Sequence, residues 1–327
     1  MRIFAIHKHK MLENLIYCLN ATMPIFSLMV IGYIFKRLNI LKEQFTKELN
    51  SFVFKFALPV LVFKELSLST FQETWDTGFV LFCFLGTVFS IALLLIFVAV
   101  FKHISDPAEF IQGSFRSSAA LLGVGIVESL YGNAGCVPLM IVGAVPLYNV
   151  TAVVLLTMMK REGESQKISR ETLLKALTGI IRNPIIIGVF AGFLWSILKI
   201  PSPEIFKRTI THIGNTATPL GLMALGASLN FKSVGNRIKE VAFGTFMKLF
   251  GFCMLLLPVA IAFGYTKEKL LAVLIMLGSP TTVSSFVMAK SMGHDGQLSG
   301  GIVMFSTLFS AFSLTLWLFV LKTMSYI

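Results

Sequence analysis

Charge is scarce in this chain. Only 13% of its 327 residues are Asp, Glu, Lys or Arg, about half the share of an ordinary soluble domain. Long polar stretches are scarcer still: residues 1–10 and 160–175 are the only two. That leaves no room for a sizeable soluble domain. The glycine-rich pattern with a terminal Lys-Ser/Thr that cradles nucleotide phosphates is missing too, so an ATP-driven mechanism is excluded. The four cysteines, Cys18, Cys83, Cys136 and Cys253, stand singly in apolar runs. Without redox or metal spacing they read as small buried hydrophobes. The five histidines, His7, His9, His103, His212 and His294, show no ligand spacing and read as peripheral. Neither a cofactor nor a metal is expected.

What the chain has in quantity is apolar sequence: 55% hydrophobic residues and a mean hydropathy of +0.81. A membrane span needs about 20 apolar residues. Ten candidate segments can be drawn, roughly 14–35, 49–69, 77–101, 107–131, 134–159, 180–199, 206–230, 240–264, 268–292 and 298–323. This is the pattern of a polytopic membrane protein in contact with lipid. The net charge of +12 raises nucleic acid as a partner, but the Lys and Arg lie in short loops between apolar runs. That is a topology signal, and no nucleic-acid partner is expected. Arg2, Lys8 and Lys10 ahead of an apolar run imitate a signal peptide. The run, however, continues to Phe35 and ends in Lys36-Arg37 without a small-residue cleavage pattern. Residues 1–10 therefore read as an N-terminal extension.

The segments repeat. Pro24, Gly32 and Pro59 match Pro184, Gly192 and Pro219 at a constant offset of 160. The fourth and ninth segments match at an offset of 165, where Gly113-Ser114 and Gly278-Ser279 precede hydroxyl pairs. The chain thus divides into a five-helix repeat over 11–159, a linker over 160–175 and a second five-helix repeat over 176–327. An odd number of helices inverts the second repeat, which is the arrangement of secondary transporters. By charge, the loops on the linker side hold fifteen Lys/Arg against ten on the other. The excess places the linker in the cytoplasm and both termini outside, in the cell membrane.

The ninth segment is broken in its middle by Gly278-Ser279-Pro280-Thr281-Thr282-Val283-Ser284-Ser285. Proline removes a backbone donor, and in hydrocarbon the freed groups must find partners. The fourth segment has Ser117 and Ser118 at its midpoint, followed by Gly123 and Gly125, which weaken a helix. Crossing of two such breaks brings half-helix termini together, and their N-terminal N–H groups favour anions. The blander reading is a proline kink whose hydroxyls bond their own helix, within small-residue helix packing. Candidate substrate-binding residues are Ser117, Ser118, Gly123, Gly125, Ser279, Pro280, Thr281, Thr282, Ser284 and Ser285. Residues four apart share a helix face, which groups Thr281 with Ser285 and separates Thr282 from both. Asn149 and Asn215, inside apolar segments, read equally as packing clasps or as site contributors. Lys248, deep in the eighth segment, reads as a cation near the pathway or as a snorkelling side chain. Glu128 is a candidate titrating group, and Arg116 an anion attractor in the vestibule. Lys55 and the Lys64–Glu65 pair, near segment ends, read as solvated or snorkelling.

The stretches MPIFSLMVIGYIFKRLNIL, NSFVFKFALPVLVF, FRSSAALLGVGIVESLYG and SPTTVSSFVMAKSMG resemble the auxin efflux carrier family, relatives of the plant PIN-type carriers. The resemblance runs from Met11 onwards. It implies ten transmembrane helices in a five-plus-five inverted repeat, with the broken fourth and ninth helices crossing around a substrate. It also implies organic-anion substrates such as malate, malonate or auxins. Two positions depart from the family pattern: Ser117 stands where an Asn usually follows Phe-Arg, and Gly125 where the break usually has proline. The loss of these groups bears on substrate identity and coupling.

The function expected is therefore secondary active transport of a small organic anion by alternating access, driven by a proton, a sodium ion or the solute gradient. A homodimer is left open. The nearest rival is a sodium-coupled carrier of the bile acid carrier type. An intramembrane hydrolase lacks a base for its serines, so the chain does not read as an enzyme. A non-transporting sensor lacks a signalling domain.

Overall fold

The computed structural model describes residues 16, 23–24, 26–68, 75–101, 104–119, 126–127, 130–131, 136–159, 178, 181–228 and 230–327. The N-terminal extension, the linker, Cys18, His103, Gly123, Gly125 and Glu128 lie outside the described residues.

The described chain is helical, with no strand. In order it forms α1 (26–37), α2 (Glu43–Phe52), α3 (Leu58–Ser67), α4 (Thr77–Val100), α5 (Pro107–Phe115), α6 (Val137–Met158), α7 (Pro184–Ile197), α8 (Glu204–Ser228), α9 (Phe231–Asn236), α10 (Ile238–Ala262), α11 (Lys267–Gly278), α12 (Ser284–Ser291) and α13 (Gln297–Thr323). Four of them, α4, α6, α10 and α13, are each long and apolar enough to cross a membrane.

Local sequence explains the helix starts. Asp76 accepts from the Phe79 N–H at 3.0 Å and caps α4. Asp106 does the same for α5 through the Glu109 N–H, with Pro107 in the first turn. Asn183 caps α7, and Pro184 takes the first helical position, where its missing N–H costs nothing. The second segment begins earlier than hydropathy suggests. Its first turns, EQFTKELN, are amphipathic and mostly exposed, so an apolar window misses them. The π-turns Val53–Ala57 and Met247–Gly251 join α2 to α3 and interrupt α10.

The helices gather into two groups. In one, α3 packs on α7 and α8 packs on α2 and α3. Glycines allow this close approach. A Cβ on Gly192 of α7 would stand 2.9 Å from the Phe63 carbonyl oxygen of α3, and one on Gly32 of α1 would collide with the Met223 carbonyl of α8. In the other group α4 packs on α6, α10 on α11 and α13, and α5 on α13 and α6.

Candidate functional site

Between the two groups lies a cavity of about 700 Å³. The first group contributes Lys64 and Glu65 from α3 and Asn215 from α8; the second contributes Tyr148 and Asn149 from α6 and the two helix breaks.

The breaks are built from sequence-local causes. Pro280 forces the preceding Ser279 into extended backbone, with φ −74° and ψ 158°, and α11 ends there. On the other side, α5 ends at Arg116, also extended, with φ −66° and ψ 145°. The two ends then bond one another. The Ser118 N–H donates to the Pro280 carbonyl at 2.9 Å. The Thr281 hydroxyl donates to the Gly113 carbonyl at 2.6 Å, and Gln112 Nε2 to the Ser285 carbonyl at 3.0 Å. The Ser117 hydroxyl donates to the Ile275 carbonyl at 3.1 Å and meets the Ser279 hydroxyl.

The opened end of α11 is completed by side chains. Pro280 has no N–H for the Met276 carbonyl, and the Thr281 N–H goes instead to Ser306 Oγ at 3.1 Å. Lys248, fully buried, takes up both vacated carbonyls, donating to Met276 at 3.3 Å and Leu277 at 2.7 Å. Tyr148 adds its hydroxyl to the Met276 carbonyl at 3.3 Å. An ammonium here also complements the negative end of the helix dipole.

The candidates named from sequence separate accordingly. Ser117, Ser118, Asn149, Asn215, Thr282 and Ser284 line the cavity. Ser279, Pro280, Thr281 and Ser285 do not; they hold the breaks together. Thr282 lines the cavity, whereas Thr281 and Ser285 do not. Lys248 does not line the cavity; fully buried, it bonds the open end of α11.

Of the two described cations on the cavity wall, Arg116 is the more deeply buried. Its residue is 2% exposed. Nη2 donates to Asn149 Oδ1 at 2.9 Å and to Ser284 Oγ at 2.7 Å, and Nη1 approaches Met288 Sδ at 2.7 Å. Nε has no hydrogen-bond partner among the described residues, and no described carboxylate forms an ion pair with the side chain. Across the cavity Lys64 Nζ donates to Asn215 Oδ1 at 2.9 Å. From sequence, Arg116 reads only as a vestibule residue and Lys64–Glu65 only as segment-end charges; the structure brings all three to the cavity wall. The available signal was an arginine directly ahead of the Ser117–Ser118 pair, on the same break.

A charged cluster braces one end of the second group. His294 is not peripheral but part of it. Nδ1 meets Asp106 Oδ2 at 2.7 Å, and Nε2 meets the Leu156 carbonyl at 2.9 Å. Both partners are acceptors, so the ring carries both protons. Burial opposes that charge. The Asp106 hydrogen bond, the Leu156 carbonyl and the charges of Asp106 and Glu109 outweigh it and raise the His294 pKa to about 9. Glu109, fully buried, accepts from the Gly296 and Ser299 N–H groups at 2.7 and 2.8 Å and closes the start of α13. Arg237 and Asp295 pair beside it through two bonds of 3.1 and 2.8 Å. Asp106, Glu109 and His294 are close enough to hold a metal ion, but these hydrogen bonds already engage their donor atoms.

Helices long and apolar enough to cross a membrane, with a cation-lined cavity between two helix groups, have the makings of a membrane transporter. The chain belongs to the membrane transport protein family, that of the auxin efflux carriers, whose model it matches over residues 17–318. A Rhizobium meliloti (strain 1021) protein described as a "Putative malonate transporter" is 24% identical over 307 residues, covering 92% of this chain and 95% of that protein. An "Uncharacterized transporter" of Methanothermobacter thermautotrophicus is 20% identical over 298 residues, covering 90% and 95%. The mouse "Lysosomal cholesterol signaling protein" is 27% identical over 250 residues, which is 73% of this chain but 28% of that protein.

Proposed function

We propose that this protein is a secondary carrier of a small organic anion, a carboxylate of the size of malonate or malate. The observation that carries the reading is Arg116: a buried guanidinium at the cavity wall with an unpartnered Nε and no paired carboxylate. A desolvated cation of this kind is costly unless an anion completes it. Guanidinium and carboxylate match in geometry as well as charge. The Asn149 and Ser284 side chains hold the group in place, and Thr282, Ser284 and the start of α12 offer further donors. Lys64 and Asn215 face it from the other helix group, so an anion binds between two bodies that move against one another in alternating access.

The reading includes ten transmembrane helices in two inverted repeats, with the linker in the cytoplasm and both termini outside the cell membrane. In support, the contact of Gly32 with Met223 and that of Gly192 with Phe63 exchange under the offset of 160. A twofold relation between repeats produces such exchanged pairs.

The test is thermal stabilisation of the purified protein by malonate, malate and indole-3-acetate, since binding to the folded state alone raises apparent stability. At least one acid should stabilise the native protein and lose its effect in Arg116→Met. Should all three leave both proteins unmoved, the organic-anion reading falls.

A further inference from the structure

We propose that Glu65 is the proton-coupling group of this carrier, taking up a proton from water when a dicarboxylate substrate occupies the cavity. The proposal rests on the organic-anion reading above. Among the described residues Glu65 is the only carboxylate lining the cavity. It comes from α3, in the helix group that does not carry the breaks, and lines the same cavity as Arg116, with Lys64 beside it in sequence. The other titratable group at the wall is Tyr148 of α6. Helix α8 presents Asn215, Thr211 and Thr218, and α7 presents Ile185, none of them charged.

The charge count follows directly. With Glu65 ionised, two cations face one carboxylate, so the empty cavity carries one net positive charge. A dicarboxylate entering this space turns that into one net negative charge in a largely apolar surround. A proton on a Glu65 oxygen removes that charge and returns the cavity to neutrality. Nothing else is consumed, and the proton leaves when the anion does. Substrate anion and proton thus occupy the same state and cross together.

The experiment is isothermal titration of malonate into the purified full chain at pH 7.5, in buffers of different ionisation enthalpy. The dependence of the observed heat on buffer counts protons taken up. About one proton per malonate is expected in the native protein and in Glu65→Asp, and close to none in Glu65→Gln. The native affinity should weaken as pH rises, by up to about tenfold per pH unit for one coupled proton, and that of Glu65→Gln should stay flat. Malonate heats that do not vary with buffer would overturn the proposal while leaving the anion reading intact. Equal proton uptake in Glu65→Gln would move the coupling elsewhere and equally overturn it. If neither malonate, malate nor indole-3-acetate binds the native chain, it is the organic-anion reading that fails, and this inference with it. Should Glu65→Gln not fold, the native buffer dependence and the Glu65→Asp titration decide alone: no proton uptake in either refutes the assignment.

Discussion

The Lys248 ammonium donates to the carbonyl of Leu277 at 2.7 Å, from one helix to the open end of another. Pro280 and the diverted Thr281 N–H leave that carbonyl and its neighbour without helical donors, and a lysine from a different helix replaces both. Lys248→Met should therefore lower thermal stability, by about 1–3 kcal/mol from the carbonyls left unsatisfied. Any effect on malonate affinity should be secondary and smaller than that of Arg116→Met. An unchanged melting temperature with lost binding would return Lys248 to the pathway.

Pro280→Ala supplies an N–H aimed at the Met276 carbonyl, in competition with Lys248 and Tyr148. The helix should close across the break and pull the Pro280 carbonyl away from the Ser118 N–H. Uptake measured at matched membrane abundance should be abolished, with little loss of folded protein. Normal uptake would reduce the break to an ordinary kink.

Gly192→Val places a Cβ against the Phe63 carbonyl, and Gly32→Val places one against the Met223 carbonyl. Each should destabilise the protein by about 1–3 kcal/mol through overpacking. Gly235 serves as the control, because a methyl group added there would meet nothing within 4 Å, and Gly235→Ala should be near neutral. Similar losses at the two crowded glycines, set beside the neutral control, are expected from denaturation in detergent. A tolerated valine at either site contradicts the close approach.

His294 carries a pH signature. Its folded pKa, about 9, lies above the ordinary 6.5. Its contribution is therefore fully present below pH 6.5 and is lost as pH rises through 9. With the side chain 6% exposed, the loss amounts to roughly 3 kcal/mol. The melting temperature should fall across that window, and the fall should shrink in His294→Asn. Equal pH profiles would show that the Asp106 contact does not depend on the charged ring.

Orientation is open to labelling. A cysteine introduced at Ser165 should resist an impermeant thiol reagent in intact cells and react after permeabilisation. Reaction from outside would reverse the topology.

Apolar length, the Pro and Gly positions and the paired Gly-Ser breaks made the helical membrane class and the two interrupted segments legible in the sequence. These are local signals: a proline removes its own N–H whatever surrounds it, and an apolar run of given length has few places to go. What hydroxyls and charges do was decided by packing. Nothing local distinguishes Ser279, which joins the breaks, from Ser284, which faces the cavity. Lys248 looks like a pathway cation in one dimension, and only the position of α11 beside α10 makes it a cap. Arg116 follows Glu65 by 51 residues, so its meeting with Lys64 and Glu65 around one cavity is set by how the two helix groups dock. Charge position relative to a cavity is a long-range property, and the tertiary structure alone determines it.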